Sequence, residues 1–304
     1  MGVMTADLAR PFGRVLTAMV TPFAQDASLD LDGAVRLATH LVDEDRHDGL
    51  VLSGTTGESA TTSDAEKESL LRAVIEAVGD RAVIVAGVGT NDTAHSIHLA
   101  EQAAKAGAHG LLVVTPYYNK PPQPALLAHF SAVAGSTDLP VILYDIPGRT
   151  GTAIDTETLV AAGKHQQIVA VKDAKGDLFA ASEVMSRCGL AYYSGDDALN
   201  LAWLAHGASG VISVVGHGFG AFLAQMVEAV DGGDLVRARE MHAQLIPAVQ
   251  TIMSRDSQGA IRAKAVAQLL GLIDSRRVRG PLLDASEDEV ALVRDVLVAA
   301  GVLH

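Results

Sequence analysis

Eight short apolar runs recur about every 20 to 35 residues along the chain, separated by stretches of helical periodicity. In order they centre on Val15–Val20, Leu50–Ser53, Ala82–Ala86, Gly110–Thr115, Pro140–Tyr144, Ile168–Lys172, Ala191–Ser194 and Gly210–Val214. Several are apolar almost throughout, as in Val83-Ile84-Val85-Ala86 and Leu111-Leu112-Val113-Val114. A parallel strand covered on both faces reads this way. Between the runs, Ser63-Asp64-Ala65-Glu66 fits a capping box, in which Ser63 and Glu66 satisfy free backbone N–H groups reciprocally. Leu71, Val74, Ile75 and Val78 then form one apolar stripe, and Gly79 follows as a stop. Ala34, Leu37, Ala38 and Leu41 repeat that spacing. Asp196 and Asp197 are set to cap a helix through Trp203, with Gly207 ending it.

Eight strands alternating with helices make either a closed barrel or an open doubly wound sheet. An open sheet that binds nucleotides carries a glycine fingerprint after its first strand. Here that position reads Val20-Thr21-Pro22-Phe23. The expected fold is therefore α/β, a (β/α)8 TIM barrel with a C-terminal helical domain. Strand character ends near residue 233, and the segments from Leu235, Ala260 and Glu287 read as helices, with turns at Gly271 and Gly280-Pro281. The expected division is a barrel catalytic domain over 1–233 and a helical domain over 234–304, packed on the barrel or on a neighbouring subunit.

Composition narrows the partners. With 23 basic and 36 acidic residues the formal charge is −13, which repels phosphate backbones, so no nucleic-acid partner is expected. The basic run Arg276, Arg277, Arg279 reads as a solvated turn. The single cysteine, Cys188, forms neither an internal disulfide nor a cysteine-rich zinc site, and reads as a small, partly buried hydrophobe. Met1–Phe12 lacks the apolar core of a secretory signal, and no apolar run approaches the roughly 20 residues of a membrane helix. A cytoplasmic protein with no membrane association is expected.

In such barrels the chemistry lies at the C-terminal ends of the strands. Lys172 closes the apolar run Ile168-Val169-Ala170-Val171, where it would point into the barrel mouth. Loss of solvation lowers a lysine's pKa, and the free amine attacks carbonyls where the ammonium does not. Position alone leaves two readings open, a surface or ion-paired lysine and a Schiff-base nucleophile. The other strand ends weigh on the choice. Tyr144 ends the preceding strand, Thr55 and Thr56 lie between Gly54 and Gly57, Tyr118 offers a second phenol, and Arg149 follows a Pro-Gly turn. Exposed backbone N–H groups and hydroxyls suit a carboxylate, as does the planar guanidinium fork. Singly, each tyrosine reads as packing and Arg149 equally well as a surface residue. Together they form a coherent carbonyl-addition site.

Gly54-Thr55-Thr56-Gly57-Glu58, Pro116-Tyr117-Tyr118-Asn119, Tyr144-Asp145-Ile146-Pro147-Gly148-Arg149-Thr150 and the lysine of the sixth strand closely resemble the dihydrodipicolinate synthase (4-hydroxy-tetrahydrodipicolinate synthase) family, within the pyruvate-dependent class I aldolases. The resemblance runs from about Gly13 through Gly210-Val211-Ile212-Ser213-Val214 and is weaker in the helical tail. It implies a lyase in lysine and diaminopimelate biosynthesis that condenses pyruvate with L-aspartate 4-semialdehyde. It also implies catalytic roles for Lys172 (Schiff base), Tyr144, Thr55 and Tyr118 (a proton relay), the last contributed across a dimer interface. Thr56, with Thr55, would cradle the pyruvate carboxylate and Arg149 would bind the aldehyde substrate, while Gly195 and the Ile212 carbonyl would line the site. A homotetramer built from dimers, with no metal and no cofactor, is the implied form. The alternative is a sister aldolase such as N-acetylneuraminate lyase or a sugar-acid dehydratase, and a third reading is a catalytically silent sensor of keto acids.

Some positions depart from the family pattern. Asp173 stands where many members have Glu, and Val215-Gly216-His217-Gly218-Phe219-Gly220 where many have an Ala-Asn pair. In lysine-inhibited members an acidic residue meets the effector's ammonium; His95 holds that position here and Lys67 a nearby one, so weak or absent feedback is expected. Three further motifs carry no assignment. Gly216, Gly218 and Gly220 lack a following helix signature and a basic partner for a phosphate. His95 and His98 lack a third metal ligand, and Asp43-Glu44-Asp45 and Glu287-Asp288-Glu289 read as charged helix surface.

Overall fold

In the computed structural model, which describes residues 10–303, the eight apolar runs are the eight strands of a closed parallel barrel. They are β1 (Val15–Ala18), β2 (Gly49–Leu52), β3 (Val83–Gly87), β4 (Gly110–Val114), β5 (Val141–Asp145), β6 (Ile168–Asp173), β7 (Ala191–Ser194) and β8 (Gly210–Ser213), hydrogen-bonded in chain order, with β8 closing on β1. Residues 1–9 of the stretch read as lacking a secretory signal lie outside the described residues. Around the barrel run α1 (Leu31–Asp43), α2 (Asp64–Val78), α3 (Thr93–Ala106), α4 (Gln123–Ala134), the short α5 (Pro147–Thr150), α6 (Thr156–Ala162), α7 (Leu178–Cys188), α8 (Asn200–Ala205) and α9 (Gly216–Asp231). Three more helices follow: α10 (Leu235–Ile252), α11 (Gly259–Leu269) and α12 (Glu287–Ala299). Among the described residues no helix is long and apolar enough to cross a membrane.

Alternation along each strand sorts side chains into two cores. Leu16, Val51, Val85, Leu112, Ile142, Ala170, Tyr193 and Ile212 fill the barrel interior, and Phe12 packs edge-on against Tyr193. The Tyr193 hydroxyl accepts from Phe12 N and donates to Gly13 O, both at 3.1 Å. The intervening residues, such as Leu50, Ile84, Val113 and Val171, face the helices. That layer also buries Ala34, Leu37, Ala38 and Leu41 of α1, and Leu71, Val74 and Val78 of α2. Ser63 and Glu66 make the predicted capping box, and Gly79 is the C-cap.

Four sequence readings change in three dimensions. Gly216, Gly218 and Gly220 open α9 and serve close packing: a Cβ at Gly216 would lie 2.0 Å from Thr17 Oγ1, and one at Gly220 2.3 Å from His47 Cε1. The imidazoles at this seam are buried, which drops His47 and His217 to about 4 and keeps them neutral. His217 Nε2 accepts from Val20 N at 3.0 Å, and Thr17 Oγ1 lies 2.6 Å from His47 Nε2. The same close approach covers Asp45, so it is not helix surface, and burial raises its carboxyl to about 7. The run Arg276, Arg277 and Arg279 is only partly the expected solvated turn, since Arg277 stays exposed while Arg279 does not. Arg276 pairs with Glu287, Arg277 with Asp284 at 3.1 Å, and Arg279 grips Glu66 through two nitrogens at 2.6 and 2.9 Å. Finally, Asp196 alone caps, through Ala198 N, a 3-10 turn over Asp197–Leu199. Asp197 has a different task, described below.

The helices after residue 233 pack against the barrel's last helix, α10 and α11 both against α9. Cys188 is free and partly buried, and its thiol donates to Val184 O at 3.3 Å.

Candidate active site

The C-terminal strand ends surround a cavity of about 410 Å³. Lys172 reaches it because Ala170 and Lys172 lie on the inward face of β6, while Val171 and Asp173 face out. Parallel register pairs Lys172 with Tyr144 on one side and Tyr193 on the other. The amine sits 4.3 Å from the centre of the Tyr144 ring, and both residues are only 4% exposed. Burial lowers the Lys172 pKa from 10.5 to about 8, the Asp197 carboxylate opposing that shift and the Arg149 charge adding to it. Burial also raises Tyr144 to about 12, against the pull of Arg149 and of a hydrogen bond with the Thr55 hydroxyl. The phenol is thus a proton donor beside an amine that is partly free near neutral pH.

Thr55, Thr56 and Arg149 line the same cavity, as does Gly195. A Cβ at Gly195 would stand 3.0 Å from Lys172 Cγ and 3.1 Å from Cε, so glycine leaves room for the lysine stem. Ile212 is buried in the barrel interior below the cavity, and its side chain does not line it. Tyr118 is not brought to the site within one chain. It is 90% exposed with φ +73°, while its neighbour Tyr117 lines the cavity.

Asp197 went unrecognised in the sequence because it looked like half of a helix cap. Its carboxylate accepts from Val214 N at 2.8 Å, Val215 N at 3.1 Å, Asn200 Nδ2 at 2.9 Å and the Ser213 hydroxyl. It therefore ties the end of β8 to the turn after β7, and its charge acts on Lys172. The cavity's outer wall was also missed: Met253, Gln258, Gly259, Ala260, Arg279, Pro281 and Leu282 all come from beyond residue 233. No local pattern signals that contribution, since those residues meet the rim only after the chain has closed. Behind the rim, Asp145 and Asp173 face out of the barrel. Asp173 accepts from Lys175 N and Gly176 N, and Lys175 Nζ lies 3.4 Å from Asp145. The histidine pair read on α3 is no cluster: His95 Nε2 lies 2.9 Å from Asp64, and His98 is exposed.

A desolvated lysine paired across a parallel sheet with a phenol, inside a (β/α)8 barrel, defines a site built for carbonyl addition. The model of the dihydrodipicolinate synthetase family matches residues 11–300, and the chain belongs to that family. It is 61% identical to the 4-hydroxy-tetrahydrodipicolinate synthase of Kineococcus radiotolerans over 97% of this chain and 96% of that one. It is equally 61% identical to the enzyme of the same name from Acidothermus cellulolyticus, over 98% and 96%. Among solved structures, the family member from Cyanidioschyzon merolae with lysine bound superimposes with a TM-score of 0.93 at 39% identity, covering 97% of this chain and all of that one (100%).

Proposed function

We propose that this chain is a Schiff-base-forming lyase that condenses pyruvate with L-aspartate 4-semialdehyde, the 4-hydroxy-tetrahydrodipicolinate synthase reaction of lysine and diaminopimelate biosynthesis. The observation that carries the reading is the buried Lys172 amine, with its pKa near 8, facing Tyr144 in a cavity shared with Thr55, Thr56 and Arg149. Lys172 adds to the pyruvate ketone, and water leaves to give an imine. The imine acts as an electron sink, so a methyl proton departs through Tyr144 and an enamine forms. The enamine carbon attacks the semialdehyde carbonyl, and the semialdehyde's amino group then attacks the imine carbon, releasing Lys172 as the ring closes. One water is lost overall. Thr55 and Thr56 hold the pyruvate carboxylate, Arg149 at the rim holds that of the aldehyde, and Gly195 and the Ile212 carbonyl shape the floor. The guanidinium at the rim favours a carboxylate-bearing aldehyde over a sugar acid.

Tyr118 completes the proton relay from a second copy of the chain. Its exposure and left-handed backbone present the phenol outward, away from its own cavity. A homotetramer built from such dimers, working in the cytoplasm, is the assembly we infer. We divide the chain at residue 233 into a barrel domain that carries the chemistry and a helical domain whose residues between Met253 and Leu282 help wall the cavity.

Borohydride reduction in the presence of pyruvate tests the reading. Mass spectrometry is expected to place the adduct on Lys172, and an unmodified Lys172 would sink the mechanism. The pH dependence has a defined sign. Because the folded pKa is lowered to about 8, the reactive amine is scarce below that value. The initial trapping rate therefore rises about tenfold per pH unit toward 8 and levels off above it.

A further inference from the structure

One buried ion pair lies outside the reaction just described. Glu58 closes the Gly54-Thr55-Thr56-Gly57 loop after β2 and carries φ +55°, a left-handed conformation that side chains disfavour. Its side chain is 2% exposed and pairs with the Nζ of Lys264 on α11, which is fully covered at 0%. The second carboxylate oxygen accepts from Arg279 N at 2.8 Å, and Lys264 Nζ also donates to Arg277 O at 2.7 Å. The Phe23 ring has Lys264 and Arg279 each 4.1 Å from its centre. Arg279 reaches back to Thr61 O at 2.9 Å and to Glu66. Every polar atom of the pair has a partner, which burial of two charges requires.

The local loop bonds do not by themselves fix where the threonines stand. Glu58 N donates to Thr55 O at 3.1 Å and Ser59 N to Gly54 O at 3.3 Å, which define the turn but not its place against the cavity. Of the charged links from the tail to this loop, the Arg279 guanidinium holds Thr61 O at the loop's far end, while Lys264 holds Glu58, next to the Thr55–Gly57 segment. We propose that Glu58 and Lys264 are positioning residues that clamp the strand-two loop to the tail and so set the Thr55–Thr56 cradle for the pyruvate carboxylate. The proposal rests on the function inferred above and adds to it a role for the helical tail in binding the first substrate.

The same helix supplies a control. Arg262, two residues from Lys264, pairs with Glu289 at 3.0 Å and donates to Thr251 O at 2.6 Å, both partners lying within the tail. In the assembled enzyme, Glu58→Gln is expected to raise the pyruvate KM at least tenfold while the semialdehyde KM changes less than twofold. The double variant Glu58→Gln/Lys264→Gln removes both buried charges; it should regain melting temperature over either single change yet keep the raised pyruvate KM. Arg262→Gln should lower the melting temperature and leave the pyruvate KM unaltered. A pyruvate KM within twofold of the wild type in folded Glu58→Gln or in the double variant overturns the clamp. So does an equal rise in Arg262→Gln. Borohydride trapping of the wild type separates the two levels: if Lys172 is trapped and the KM is unmoved, only the clamp fails, whereas an untrapped Lys172 overturns both clamp and function.

Discussion

The loops after β2 and β4 make an instructive pair. Each leaves a buried strand, carries site residues named by sequence pattern, and contains non-glycine residues with positive φ: Ser53 and Glu58 in the first, Tyr118 and Lys120 in the second. Their surroundings differ. The first is locked under the tail by Glu58, Lys264 and Arg279, and Thr56 is buried. The second is held by Asn119, whose N–H donates to Tyr117 O and whose side-chain amide donates to Asn91 O, both at 2.9 Å, and Tyr118 stands clear of the chain. Backbone strain persists where surroundings over-determine it. For the first loop those surroundings lie within the chain, and for the second we look to another copy of it.

The sharpest way to break this comparison is to remove the centre both loops are proposed to serve. Lys172→Ala should lose at least several orders of magnitude in turnover, measured in a coupled assay with pyruvate and aspartate semialdehyde. Near wild-type activity would leave neither loop a reaction to support. Tyr144→Phe keeps the ring over Lys172 but removes the proton, and a general acid–base contribution predicts a loss of about 10²- to 10⁴-fold in kcat. A loss under threefold would mean that protons take another route.

Mixing two defective chains addresses the second loop directly. Tyr118→Phe and Tyr144→Phe enzymes, reassociated together, should regain activity, because about a quarter of the sites in a statistical mixture of dimers then hold both phenols. Activity no greater than the sum of the parts would show that Tyr118 serves its own chain or none.

The smallest expected effect is on regulation at the opposite side of the strand-two loop. Asp64 lies 2.9 Å from His95 and 3.6 Å from Lys67, so that carboxylate is already engaged, and an imidazole stands at the α3 position that would meet the effector's ammonium. L-Lysine is expected to leave the rate unchanged at sub-millimolar concentration, and clear inhibition in that range would refute the assignment.

The barrel was legible because its signals are local. All eight apolar runs became strands, and Lys172, Tyr144, the threonine pair and Arg149 could be placed at one rim by their strand ends alone. Tyr118 was legible as a second strand-end phenol, but its role across a dimer interface came only from the family resemblance, and nothing in its neighbourhood says which way it points. Lys264 left a faint trace, a cation set among Ala263, Ala265, Val266 and Ala267, all buried with it. The arginine run misled at Arg279, because composition treats charge as solvated unless a partner is adjacent, and here the partner Glu66 lies 213 positions away. Asp45 misled for a related reason, being covered by a glycine face more than 170 residues later in the chain.

The chain's periodicity and strand-end chemistry determined the barrel, the rim and the place of the lysine proposed as nucleophile, since apolar alternation and caps act between residues a few positions apart. Only the folded molecule decided which charges were buried, that tail residues between Met253 and Leu282 help wall the cavity, and that one tyrosine of the Tyr117-Tyr118 pair faces in while the other faces out. Those outcomes depend on contacts between segments far apart in sequence, such as the 206 positions between Glu58 and Lys264, and desolvation has no value until such segments meet.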